Sequence, residues 1–244
     1  MKHIHTTLGG LATTVVSPDE NTHTAVILCH GYGAGGDDLV PLGAEVARRM
    51  AGPHGPGIRF YFPEAPLLAD VGGGGRAWWQ LEPERLLALS RGEIPVVGAR
   101  RREVPEGLTR ARRMLMALLD EVQRQCALPL SRVVLGGFSQ GAMLTTDVTL
   151  RLEEAPAGLM VLSGTLICEE DWSAKAAQRR GLPVMMSHGR QDPLLPFDDA
   201  EALRGLLAER GLDVDFHPFN GPHTIPFSVL TAMARFLERV APPG

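Results

Sequence analysis

The sequence is poor in features that mark several common classes of protein. Its three cysteines are scattered without a C-x-x-C pair, and Cys29 lies in an apolar run where a small buried thiol packs well. The N-terminal segment lacks the apolar stretch of a secretory signal peptide, and no run approaches the roughly 18 apolar residues of a membrane-spanning helix. We therefore expect a soluble protein of the reducing cytoplasm.

A surplus of positive charge is also missing. The 24 lysines and arginines are outnumbered by 28 aspartates and glutamates, which gives a formal net charge of −4. Such a chain has no positive field that would select nucleic acid or an anionic membrane surface, so we expect neither partner and no stable membrane association. The sequence leaves open whether the protein forms a homodimer.

Motifs for metals and phosphates are absent as well. His3 and His5 stand two positions apart on a predicted edge strand, which does not favour a metal site, and no other cluster has ligand spacing. No Gly-Lys-Ser/Thr follows the glycine-rich loop at residues 31–36, which excludes a phosphate-binding P-loop. The sequence thus predicts a protein without a metal or cofactor.

The sequence does contain short apolar runs that alternate with amphipathic segments, and it is long enough for one domain over residues 1–244. This order predicts an α/β fold with a mostly parallel central sheet, helices on both faces, and ligands at the strand-to-helix edge. The predicted strands lie near residues 24–30, 58–62, 131–139, 157–164, 182–189 and 212–219, and the predicted helices near 37–50, 106–125, 140–154, 198–211 and 227–240.

One long connection interrupts the alternation. Residues 82–105 are interrupted by prolines and include part of a short amphipathic piece at 81–89. A connection of this length in a compact domain is usually functional or disordered, so we interpret it as a flap near the site, with a surface excursion as the alternative. We interpret Arg100, Arg101 and Arg102 as a solvated run, with contact to an anionic substrate group as the alternative.

A glycine-flanked serine stands where a predicted strand changes to a helix. Residues 137–141, Gly-Phe-Ser-Gln-Gly, match the pattern G-x-S-x-G, in which a sharp turn holds the serine hydroxyl at the edge of a sheet. Side chains at Gly137 and Gly141 would collide as strand and helix approach each other, so both positions require glycine. The match follows "RVVL" and opens "QGAML", the setting that the motif requires. Ser139 is therefore the candidate nucleophile.

A serine nucleophile needs a histidine base and an acid that orients it. In this kind of fold the partners follow in the order serine, acid, histidine, and only His217 and His223 lie late enough to follow the acid. His217 falls within a predicted strand, so we favour His223 in the turn-rich "NGPHTIP". Asp192 directly follows its strand and is the candidate acid, because Asp198 and Asp199 stand where a helix N-terminus favours capping residues.

Two main-chain N–H groups are needed to bind the negative oxygen of a tetrahedral intermediate. Gln140, directly after the candidate nucleophile, would supply one, and Tyr32 in the loop "HGYGAGGDD" would supply the other.

The same loop supports a competing hypothesis. Gly31, Gly33 and Gly36 match G-x-G-x-x-G, the fingerprint of dinucleotide-binding oxidoreductases. That fingerprint also requires an acidic residue about twenty positions further on, where this sequence reads "GPHGPGIRF", and Glu64 comes late. We therefore favour the serine-based interpretation.

Seven blocks of the sequence occur in the order seen in the phospholipase/carboxylesterase family, the bacterial relatives of acyl-protein thioesterases. They are "HGYGAGGDDLVPL", "FPEAP", "RAWWQL", "LGGFSQGAML", "LSG", "HGRQDPLLPF" and "HTIPF". The chain resembles this family from about residue 24 to the C-terminal helix. The resemblance implies a compact α/β-hydrolase fold without a large cap domain, and hydrolysis of carboxylic esters or thioesters without a cofactor.

Carried over by position, the resemblance gives the same roles to Ser139, Asp192, His223, Tyr32 and Gln140.

Three departures from the family pattern put the substrate preference in doubt. Pro222 replaces the usual glycine before the histidine, Gln80 replaces the usual aspartate after the aromatic pair, and the segment 82–105 is longer than is typical.

Apolar residues near these blocks are candidate walls of a substrate pocket. The sequence leaves open an esterase of modest-sized carboxylic esters, a thioesterase or lysophospholipase with the same triad, and a binding protein that keeps the hydrolase fold. The candidate wall residues are Trp78, Trp79, Leu67, Leu194 and Phe197, and for Leu67 and Phe197 ordinary core packing is an equal alternative.

Overall fold

The computed structural model describes residues 2–17, 22–50, 57–70, 73–93 and 95–241. The strands are β1 (Lys2–Leu8), β2 (Leu11–Ser17), β3 (Thr24–Cys29), β4 (Ile58–Pro63), β5 (Leu67–Leu68), β6 (Arg76–Ala77), β7 (Val133–Phe138), β8 (Gly158–Leu162), β9 (Pro183–Gly189) and β10 (Asp213–Phe219). The helices are α1 (Val40–Arg49), α2 (Pro83–Ser90), α3 (Leu108–Cys126), α4 (Gln140–Arg151), α5 (Glu169–Ala176), α6 (Phe197–Glu209) and α7 (Phe227–Val240).

Eight strands form one sheet in the order β1-β2-β4-β3-β7-β8-β9-β10. The six strands from β4 to β10 in this order are all parallel to their neighbours, which confirms the predicted mostly parallel sheet. β1 and β2 form an antiparallel hairpin that joins the sheet through β4. The sequence analysis predicted an edge strand at His3 and His5 but not its partner β2.

The order of the strands reverses at β3. After β3 the chain adds β4 on one side, and it later returns to place β7 on the other side. In open parallel sheets the loops that leave two such strands diverge, and the crevice between them is the usual place for a ligand. The glycine-rich loop after β3 and the turn after β7 therefore border the same crevice.

Helices cover both faces of the sheet, as predicted. In β3, Ile27 and Cys29 face the core cluster that includes α3, α4, α5 and α6, whereas Val26 and Leu28 face the cluster that includes α1 and α7. This alternation follows from the two-residue period of a strand, and it explains why β3 is apolar throughout.

A buried carboxylate joins three of these helices. Asp147 of α4 is fully buried, and it accepts hydrogen bonds from Arg112 of α3 at 2.5 Å and from Trp172 Nε1 of α5 at 2.9 Å. Arg151, one turn further along α4, lies 3.1 Å from the same carboxylate. Because a buried charge is tolerated only when it is paired, this network fixes how α3 and α5 pack against α4.

Replacing Asp147 with alanine is expected to lower the free energy of unfolding by about 3–5 kcal/mol, because two arginines and an indole N–H lose their partner inside the protein. Urea unfolding followed by circular dichroism measures the change. Asp213→Ala is the matched control: its side chain is 60% exposed and pairs with Arg239, so its loss is expected to cost about 1 kcal/mol or less. Equal losses for the two variants would contradict this role of Asp147.

Candidate active site

Ser139 occupies the turn between β7 and α4. Its backbone has φ +55° and ψ −118°, a conformation that residues other than glycine rarely adopt. The turn is held by the Ser139 N–H, which donates to the Leu162 carbonyl at 2.9 Å, and by the N–H groups of Ala142 and Met143, which donate to the Ser139 carbonyl. The strained serine is thus supported by β8 on one side and by the first turn of α4 on the other.

Glycines around Ser139 allow three main-chain segments to approach one another. A Cβ added to Gly137 would lie 2.5 Å from the carbonyl carbon of Gly141, which confirms the predicted collision. A Cβ on Gly141 would lie 2.1 Å from the carbonyl oxygen of Cys29, so this glycine is also required by β3. A Cβ on Gly31 would lie 3.2 Å from the Cβ of Ser139, and the loop after β3 therefore passes close to the serine.

His223 and Asp192 meet beside this turn. Nδ1 of His223 lies 2.6 Å from Oδ2 of Asp192, although the two residues are 31 positions apart. The imidazole packs against the ring of Phe138, with ring centroids 4.7 Å apart. Because Asp192 occupies Nδ1, Nε2 is the ring nitrogen available to a hydroxyl group, and both Ser139 and His223 line the same cavity.

Asp192 is buried among hydrogen-bond donors. Its Oδ1 accepts the N–H groups of Leu194 and Leu195, each at 2.9 Å, and Oδ2 accepts from His223. Burial alone would raise the pKa of Asp192, but hydrogen bonds from His188, His223 and Leu195 outweigh it and hold that pKa well below its usual range. The carboxylate is therefore ionised at neutral pH and able to hold the imidazole in one orientation.

His188 is a contact of Asp192 that the sequence analysis did not single out. It is fully buried at the end of β9, and its Nε2 lies 2.9 Å from the Leu195 carbonyl oxygen and 3.2 Å from Oδ2 of Asp192. Since a carbonyl oxygen only accepts, Nε2 carries the proton. The available signal was its position at the end of a strand, four residues before the candidate acid.

The two candidate N–H donors border the cavity. Tyr32 and Gln140 both line it, and Gln140 is the first residue of α4, where main-chain N–H groups have no partner within the helix. The side chain of Gln140 faces elsewhere: Oε1 accepts the N–H of Trp78 at 2.9 Å, and Nε2 donates to the Trp79 carbonyl at 2.8 Å. Gln140 therefore ties the aromatic pair to the serine turn.

His30 holds the loop that carries Tyr32. Its Nδ1 lies 2.8 Å from the Gly31 carbonyl, and its Nε2 accepts the N–H of Ala65 at 3.0 Å. These contacts require the neutral tautomer with the proton on Nδ1, and burial lowers the pKa of His30 in agreement with that form.

Of the five candidate pocket residues, the structure places two on the cavity, whose volume is about 180 Å³. Trp79 and Leu194 line it. Trp78 is 1% exposed and donates Nε1–H to the His30 carbonyl at 2.9 Å. Leu67 belongs to the two-stranded β5–β6 ribbon, and Phe197 stacks against a ring of β10.

The segment 82–105 also reaches the cavity, where Arg85, Arg100, Glu103 and Pro105 contribute to its lining. Its role as a flap stays a prediction. The arginine run is not uniformly solvated: the side chain of Arg102 is 80% exposed, whereas those of Arg100 and Arg101 are 30% and 27% exposed and form ion pairs.

The alternative acids and bases lie outside the site. His217 is on the edge strand β10 beside Asp215. Asp199 does not cap α6, as its position had indicated, but accepts hydrogen bonds from the Arg101 side chain and the Gly98 N–H.

The dinucleotide hypothesis gains no support from the loop after β3. Its late acidic candidate, Glu64, is paired with Arg76 at 2.9 Å, and a Cβ on Gly36 would lie 2.7 Å from the Cβ of Glu64. Residues 51–56, part of the region where an acidic partner was sought, lie outside the described residues.

Comparison with known proteins gives a consistent result. The sequence model of a family described as Phospholipase/Carboxylesterase matches residues 11–241. Acyl-protein thioesterase 1 of Aspergillus fumigatus is 30% identical over 242 residues, covering 93% of this chain and 92% of the relative. Acyl-protein thioesterase 1 of Gibberella zeae is 26% identical over 239 residues, covering 96% and 98%.

Solved structures share the fold. Esterase PE8 superimposes with a TM-score of 0.77 and 28% identity, covering 93% of this chain and 97% of that one. SOBER1 of Arabidopsis thaliana gives a TM-score of 0.72 with 23% identity, covering 90% and 99%, which is a likeness of fold alone.

Two searches of the described residues found nothing. No helix in this part of the chain has both the length and the apolar character needed to cross a membrane. The same residues contain no cluster of three or more histidine, cysteine, aspartate or glutamate side chains arranged to hold a metal ion.

Replacing Gly141 with alanine is expected to lower the free energy of unfolding by about 1–3 kcal/mol, because the added methyl group would press against the Cys29 main chain. Thermal and urea unfolding measure the change. Gly205→Ala in α6 is the control, since a Cβ there meets nothing within 4 Å, and it should raise stability by about 0.5–1 kcal/mol. If Gly141→Ala were as stable as Gly205→Ala, the close approach of α4 to β3 would be wrong.

Proposed function

The chain belongs to the phospholipase/carboxylesterase family, and we propose that it cleaves carboxylic esters of short acyl length through Ser139, His223 and Asp192. It is a hydrolase of the carboxylesterase type, which disfavours the non-catalytic receptor and the oxidoreductase that the sequence left open. The observation that carries the proposal is the 2.6 Å contact between Nδ1 of His223 and Asp192, beside a cavity that Ser139 also lines.

In the proposed mechanism, Nε2 of His223 takes the proton of the Ser139 hydroxyl as its oxygen attacks the ester carbonyl. Asp192 keeps the imidazole in the required tautomer and stabilises its protonated form. The negative oxygen of the tetrahedral intermediate is bound by the main-chain N–H groups of Tyr32 and Gln140. His223 then gives its proton to the leaving alcohol, and water attacks the acyl-enzyme in the same way to release the acid.

The size of the cavity supports short acyl groups. At about 180 Å³ it is smaller than the roughly 300–1,000 Å³ of pockets that enclose drug-sized ligands. Met143, Ile167 and Leu195 contribute apolar walls, and the segment 82–105 borders the side away from the sheet. A long acyl chain would have to displace part of this lining.

Thioester hydrolysis is the second candidate, because the 30% identical relative in Aspergillus fumigatus is named an acyl-protein thioesterase. The same nucleophile, base and N–H donors serve either substrate, since both reactions pass through an acyl-enzyme. The leaving group alone distinguishes them. A lysophospholipid, with its long acyl chain, fits the cavity less well.

A fluorophosphonate probe is expected to label the native protein on Ser139, because the activated hydroxyl attacks its phosphorus. Intact-protein mass spectrometry should show one adduct, which is lost in Ser139→Ala. Ser173→Ala is the matched control: this serine lies on α5 beside Arg210, away from the cavity, so labelling should persist. Labelling of folded Ser139→Ala, or none of the native protein, would contradict the assigned nucleophile.

A panel of p-nitrophenyl esters and N-acetylcysteamine thioesters with matched acyl chains, from acetyl to palmitoyl, is expected to separate the two candidates. If the cavity accommodates the acyl group, kcat/KM should be highest for short chains and fall by about tenfold or more at palmitoyl, the equivalent of about 1.4 kcal/mol. Comparing oxygen with sulfur at equal acyl length then assigns the leaving group. A rise of kcat/KM up to palmitoyl would overturn the proposed short acyl length.

A further inference from the structure

The cavity beside Ser139 contains a positively charged end. Arg85 of α2 and Arg100 both contribute to its lining, as do the proposed nucleophile and base. Both arginines also line a second, smaller pocket of about 30 Å³ that opens beside the first. The long segment 82–105 therefore brings guanidinium groups into the cavity where the ester would bind.

Arg85 lacks an ion-pair partner. It is partly buried, and among the described residues no hydrogen bond or salt bridge joins it to another side chain. Its pKa is lowered to about 10 by burial and by the charge of Arg100, while Glu103 acts in the opposite direction. Arg85 thus remains charged at neutral pH, and removing a charge from water without a partner is unfavourable.

The neighbouring charges do not neutralise Arg85. Glu103 forms an ion pair with Arg100, three residues away along the same segment, so the group of three carries one net positive charge. Asp38, the other acidic residue of the lining, belongs to the loop after β3, where it acts on His30.

The segment that carries these charges is fastened to the body of the protein. Nε of Arg101 lies 2.6 Å from Oδ1 of Asp199 in α6, and the Gly98 N–H donates to the same oxygen at 2.9 Å. The N–H of Cys168, directly before α5, donates to the Glu103 carbonyl at 3.0 Å. These contacts hold the charged end in a defined position relative to the cavity.

We propose that Arg85 binds a carboxylate of the substrate, so that the favoured esters carry a negative charge separated from the scissile bond by a short apolar spacer. Guanidinium groups bind carboxylates through two parallel hydrogen bonds, and a partly desolvated site strengthens them. Met143, Ile167 and Leu195, which line the same cavity, suit the methylene groups of the spacer. This inference rests on the proposed function, because it assumes that Ser139 is the nucleophile.

The test compares charged esters with neutral esters of the same shape. Monomethyl adipate places the carboxylate on the acyl side, and 5-acetoxypentanoate places it on the alcohol side; the carboxamide of each is its neutral match. We expect kcat/KM to favour one carboxylate over its carboxamide by about ten- to hundredfold, the usual effect of a hydrogen bond to a charged group. The member of the pair that shows the preference identifies the side of the ester that faces Arg85.

Variants connect this preference to Arg85. Arg85→Gln should abolish the preference and leave carboxamide hydrolysis unchanged, whereas Arg85→Lys should retain part of it. Arg91→Gln is the control, because this arginine follows α2, is 63% exposed and does not line the cavity. Its preference should equal that of the native protein.

The proposal is overturned if the native protein hydrolyses both carboxamides as fast as the carboxylates, if it hydrolyses none of the four esters, or if Arg85→Gln slows charged and neutral esters equally. Fluorophosphonate labelling of the same preparations separates this failure from that of the proposed function. Labelling without a charge preference refutes only the role of Arg85, whereas absent labelling refutes the nucleophile.

Discussion

The site depends on the close packing of the start of α4 against the ends of β3 and β7. Gly141 lies so near the Cys29 carbonyl that a methyl group would reach within 2.1 Å of the oxygen. This approach allows the turn at Ser139 to be sharp, and the sharp turn places the serine beside the loop after β3. The proposed nucleophile and the proposed N–H donors are thus brought together by one packing contact between glycine main chain and strand.

The remaining chemistry is organised around Asp192. A buried carboxylate is normally unfavourable, yet this one accepts hydrogen bonds from two main-chain N–H groups and from His223, and lies within 3.2 Å of His188. The donors come from the loop after β9, from the end of β9 and from the loop after β10, so the carboxylate links three segments at the edge of the sheet. Its ionised form both satisfies these donors and orients the proposed base, and fold stability and the proposed catalysis draw on the same group.

The sequence was informative where function follows from position on a strand. Ser139, Asp192 and His223 each follow a predicted strand, and parallel strands bring such residues to one edge of the sheet. The roles of Arg85 and Asp199 could not be predicted in this way. The bond between Gly98 and Asp199 joins residues 101 positions apart, and no periodicity or motif marks such a contact. Apolar character was equally uninformative, because the adjacent Trp78 and Trp79 are both buried and only Trp79 lines the cavity.

The long segment is where this chain adds most to the general architecture. The triad geometry, the glycine turn and the loop after β3 concern the reacting carbonyl, and none of them distinguishes one ester from another. The selective groups must therefore lie further along the cavity, where α2 and the residues up to Pro105 contribute its lining. Since Asp199 and Cys168 hold this segment from α6 and from the start of α5, its arginines are positioned before a substrate arrives. A charge that is already in place costs less to align than one on a mobile loop, and this favours selection of the substrate by charge as well as by size.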